Sequence, residues 1–120
     1  MKQLIERLFE ECPGGISEYL DSSGWLDEVT DSDRAALYQR LTDRFFHFLQ
    51  QIHQELGPPH QDTESHELAI QAWYPEAIRA ACWLRDDKVM CLALEHHDKE
   101  TPIAVVMLCL TLGEIKDLSE

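Results

Sequence analysis

The residues with the widest chemical range in this chain of 120 are its six histidines and four cysteines. Glu95-His96-His97-Asp98 sets four metal-capable side chains in a row, and a transition-metal site needs three or four such donors converging on one point. In an extended segment adjacent side chains point to opposite faces, so these donors diverge rather than converge. His53, His60 and His66 gather near the end of a helical stretch without the spacing of an H-E-x-x-H pair. Cys12, Cys82, Cys91 and Cys109 include no C-x-x-C pair, and three of them lie inside apolar runs, where a free thiol behaves as a small hydrophobe. Reduced, buried thiols are therefore expected, with no metal and no cofactor.

Nucleophilic and phosphate chemistry find no better footing. Apolar surroundings raise a thiol's pKa, and neither Ser17 nor Ser22-Ser23-Gly24 lies in a nucleophile elbow. Pro13-Gly14-Gly15 follows a helical stretch with no Lys behind it, unlike a phosphate cradle. The acid pairs Glu10-Glu11 and Asp86-Asp87 fit surface and turn positions. No catalytic residue is assigned, and an enzymatic function has no motif behind it.

The elements that would position these residues follow from hydrophobic spacing. Leu4, Ile5, Leu8 and Phe9 give a short amphipathic helix, stopped by Pro13-Gly14-Gly15. Ile16 to Asp27 suggests helical turns around a bend at Ser22-Ser23-Gly24. Thr30, with Asp33 three residues on, is a helix start. Leu37, Leu41, Phe45, Phe48, Ile52 and Leu56 then recur at three and four until Gly57-Pro58-Pro59, which predicts one long helix over about residues 31–56. Residues 57–65 are expected to form a loop. A further helix is expected from Ser65, with Leu68, Ala69, Ala72 and Trp73 on its inner side.

Beyond Tyr74-Pro75 the period changes to two, although a helix through Cys82 also fits Ile78 to Cys82. Strands are expected at about 77–85, 88–96 and 102–112, with Asp86-Asp87 as a tight turn, followed at the end by one more helical turn in 113–120. The fold class is thus α+β: N-terminal helices, one of them long, packed on a three-stranded antiparallel meander in a single domain. Val89–Leu94 and Ile103–Leu110 are apolar at every position, so both faces of this hairpin demand cover. Either the helices divide between the faces, or a second copy of the chain closes one of them as a homodimer, with Val105 and Met107 on the face it would close.

The chain carries 23 acids against 10 Lys and Arg, a formal charge of −13. That balance opposes direct binding to nucleic acid or to anionic membranes, and the longest apolar run is far shorter than the roughly 20 residues of a membrane helix. The N-terminal stretch lacks the apolar core of a signal peptide, which places the protein in the cytoplasm. Between Arg7 and Arg34 lie Glu10, Glu11, Glu18, Asp21, Asp27, Glu28, Asp31 and Asp33 with no Lys or Arg. From Glu55 to Glu76 lie Glu55, Asp62, Glu64, Glu67 and Glu76, again without one. Trp25 falls within the first acidic segment and Trp73 near the end of the second, each suited either to the core or to anchoring a partner within a charged rim.

Asp27, Glu28, Asp31, Asp33, Glu64, Glu67, Trp25 and Trp73 are therefore the candidate partner-binding residues. The expected function is a small non-enzymatic protein that neutralises a basic partner protein, as bacterial immunity proteins do. A dimeric secretion-type chaperone and a domain with a ligand pocket between helices and sheet are the alternatives.

Overall fold

The computed structural model describes residues 1–12, 17–59, 61–64, 77–96 and 101–111. In chain order they form α1 (Lys2–Glu11), β1 (Ser17–Ser22), α2 (Asp31–Leu56), β2 (Gln61–Glu64), β3 (Ala77–Arg85), β4 (Lys88–Glu95) and β5 (Ala104–Thr111). The expected helix from Ser65 and the turn in 113–120 lie outside the described residues. No helix among the described residues is long and apolar enough to cross a membrane.

The α+β class and the β3–β4–β5 meander agree with the sequence reading. The sheet is larger than expected, however, with five antiparallel strands in the order β1-β5-β4-β3-β2 instead of three. Both additions are edge strands. β1 occupies the segment read as helical turns, and β2 occupies part of the expected loop 57–65. Each owes its conformation to pairing with a distant strand, which local propensity does not register.

β1 also conceals its alternation. Tyr19 pairs with Val106 and Asp21 with Val105, leaving Leu20 as an extra residue. Such a bulge sets two successive side chains on one face. Leu20 packs into the core on the helix side, and Asp21 on that same side meets Arg44 of α2 at 3.1 Å.

α2 starts where Thr30 accepts the Asp33 backbone N–H at 3.1 Å, the expected cap. From β1 at one sheet edge it passes over β4 and β5 towards β2 at the other. Leu41, Phe45 and Ile52 are buried along its inner stripe. It ends at Gly57, whose φ of 82° favours glycine. The Gly57 N–H donates to His53 O at 2.8 Å, and the buried Trp83 indole donates to Gly57 O at 3.0 Å. α1 buries Ile5, Leu8 and Phe9, and Lys88 donates to the Phe9 carbonyl at 2.6 Å, setting a cation at the helix C-terminus.

Both helices pack on one face of the sheet, against Ala81, Trp83, Met90, Leu92, Leu94, Val105, Met107 and Cys109. The other face carries Ala80, Cys82, Val89, Cys91, Ala93, Ala104, Val106, Leu108 and Leu110, none more than 9% exposed. No described helix lies on that second face, so α1 and α2 do not divide between the two. Val105 and Met107, expected on a face open to a second copy, are fully buried beneath the helices. Full apolarity of β4 and β5 follows from burial on both sides.

Candidate functional site

The segment between β1 and α2 presents the first set of candidate residues, and its backbone is tied at several points. The Ser23 N–H donates to Ile103 O at 2.9 Å, and the Ile103 N–H donates back to Ser23 Oγ at 2.9 Å. Arg40 of α2 donates to Ser22 O at 3.0 Å. Gly24 turns the chain at φ 76°, a conformation that an L side chain rarely adopts. Leu26, fully buried, plugs the segment into the core. Arg34 reaches Leu26 O at 3.4 Å, and the Val29 N–H reaches the same carbonyl at 3.3 Å.

Trp25 sits between the Gly24 turn and the Leu26 plug and faces outward, 69% exposed. Of the two roles open to it, the structure places it on the surface. Asp27, Glu28, Asp31 and Asp33 follow it, all exposed. Asp31 bonds Arg34 at 2.7 Å with its own side chain fully in solvent, a pairing of small energetic weight. Asp27, Glu28 and Asp33 have no ion pair among the described residues.

Two other acids of this cation-free stretch are offset in three dimensions. Glu18 pairs with Arg7, and Asp21 meets Arg44 at 3.1 Å with Arg40 at 4.0 Å. The uncompensated charge is therefore narrower than the sequence run suggests, and on this stretch it lies at Glu10 and Glu11 on the end of α1 and at Asp27, Glu28 and Asp33 beside Trp25.

Of the second set, Glu64 lies in β2, while Glu67 and Trp73 lie outside the described residues. The register places Asp21, Val105, Leu94, Arg79 and Glu64 in one row across the sheet. The backbone at Glu64 is thus four strand spacings, or about 19 Å, from Asp21, at the end of the sheet where β1 leads into the Trp25 segment.

Glu95 and His96 diverge as expected. Glu95 accepts a hydrogen bond from Tyr19 on the second face, whereas the His96 ring meets Tyr38 of α2 edge-on at 6.4 Å. Burial raises the Glu95 carboxyl above the ordinary range, against the Tyr19 hydrogen bond, which lowers it. The negative charge of Glu95, followed by burial and the shared hydrogen bond, raises the Tyr19 hydroxyl in turn. His97, Asp98, His60 and His66 lie outside the described residues. Among the described residues there is no cluster of three metal-ligating side chains.

A cleft of about 290 Å³ opens between α1, the end of α2 and β3, lined by Phe9, Glu55, Leu56, Trp83, Leu84 and Arg85. Its guanidinium is already engaged, stacked 4.3 Å from the Phe9 ring and 3.2 Å from Glu6. No family model, curated protein or solved structure matches this chain.

Proposed function

We propose that this protein is a small, acidic, non-enzymatic binding protein that captures and neutralises a basic partner protein, in the manner of an inhibitor or immunity protein. The observation that carries this reading is Trp25, 69% exposed on a tethered segment and followed by Asp27, Glu28 and Asp33. An indole face attracts Arg and Lys side chains, and nearby carboxylates steer them towards it. The tethers reduce the ordering cost of association, since the backbone around Trp25 is already held.

A dimeric secretion-type chaperone would need an apolar face held open for another chain, and no feature of the described sheet favours it. Four thiols without a disulfide suit a reducing compartment such as the cytoplasm.

Charge reversal tests the reading against net charge alone. Asp27→Lys with Glu28→Lys changes the total charge as much as Glu10→Lys with Asp87→Lys, and all four positions are exposed. With an Arg-rich peptide as probe, the first pair should slow association by about tenfold at low salt and the second pair far less. Equal slowing by both pairs would remove the Trp25 segment from the account.

A further inference from the structure

The hairpin β3–β4 brings together two groups that the binding reading does not use. Its two-residue turn Asp86-Asp87 pairs Arg85 with Lys88, and counting outward opposes Cys82 to Cys91. Opposed residues of antiparallel strands have Cα atoms about 4.5–5.5 Å apart, within the roughly 4.4–6.8 Å that a disulfide spans. Here the two Sγ atoms are 3.1 Å apart with both thiols free, so bond formation requires a closer approach of about 1 Å. Of their neighbours on the same face, Ala80 and Ala93 are small, while Leu108 of β5 stands opposite Cys91. Cys12 and Cys109 belong to the other cluster, on the helix side of the sheet.

We propose that Cys82 and Cys91 form a cross-strand dithiol that a small peroxide oxidises to an intramolecular disulfide, making the pair a redox modification site on the second face of the sheet. In the first step one thiol, as thiolate, attacks a peroxide oxygen; the O–O bond breaks, and hydroxide leaves as water after taking up a proton, giving a sulfenic acid. The second thiol then attacks that sulfur. The S–S bond forms, the S–O bond breaks, and the hydroxyl departs as water with the second thiol's proton. Two thiols lose two electrons in all, and hydrogen peroxide is reduced to two waters.

Burial sets when this happens. Cys91 is fully buried and Cys82 is 4% exposed. Burial, and then the adjacent Cys82 thiol, push the Cys91 thiol well above its ordinary range, keeping it protonated at neutral pH. Oxidation therefore depends on transient opening of the second face, and its rate follows that opening.

The test uses the full-length wild-type protein. It is treated with hydrogen peroxide in mild denaturant, fully unfolded, alkylated and mapped by peptide mass spectrometry. The expected result is a Cys82–Cys91 linkage reversed by dithiothreitol, with Cys12 and Cys109 still alkylated. In Cys82→Ser no intramolecular disulfide should form. Four alkylatable thiols after treatment, a linkage that uses Cys12 or Cys109, or a disulfide that persists in Cys82→Ser would each overturn the proposal. The wild-type map decides the matter even if the variant does not fold.

Discussion

Glu95 and Trp25 owe their placement to different local causes. The divergence of Glu95 from His96 follows from strand geometry alone, and it is what the structure holds. The exposure of Trp25 does not follow from its type, because a tryptophan in a short apolar cluster is as well suited to the core. What decides it is the Gly24 turn and the Leu26 plug on either side. Glu95 also carries a pH prediction. Its carboxyl is raised in the folded protein by burial, so folding favours the protonated form. The stability this contributes is complete below the ordinary glutamate range and is lost as pH rises through the raised native value. Glu95→Gln, neutral throughout, should therefore raise Tm at neutral pH and change it little near pH 4. Thermal melts at the two pH values check this, and an equal effect at both would contradict it.

At the scale of elements, α2 and the β3–β4–β5 meander were legible because each is long and strongly patterned. The Thr30 cap and the Gly57 stop bound the helix, and unbroken apolarity marks β4 and β5 as covered on both sides. β1 and β2 were not legible, since an edge strand pairs on one side only and tolerates polar residues. The bulge at Leu20 further erases the two-residue period of β1. By contrast, the opposition of Cys82 and Cys91 is implicit in the sequence, as the two are equidistant from the Asp86-Asp87 turn. Burial of the second face makes a further prediction. Val106, 1% exposed there, becomes a buried unpaired charge in Val106→Asp, at a cost of several kcal/mol. Circular dichroism and gel filtration should show loss of the cooperative fold; a folded monomer produced from a dimeric wild type would show instead that this face is a subunit interface.

Among the described residues, some acids are paired and others are not, which the count of −13 does not convey. Arg7, Arg40 and Arg44 offset Glu18 and Asp21 along β1, whereas Asp27, Glu28 and Asp33 have no ion pair among the described residues. Glu10, Glu11, Asp86 and Asp87 likewise have no ion pair among the described residues, so the proposed binding end is marked by Trp25 beside its acids and not by missing cations alone. The most direct test is an amide-resolved NMR titration of the wild-type protein with an Arg-rich peptide at low salt. The account predicts shift changes concentrated in residues 23–33, with affinity falling steeply as salt shortens the screening length from about 30 to about 8 Å. Shift changes spread evenly over the acidic surface, or centred on Glu10 and Asp87, would contradict it.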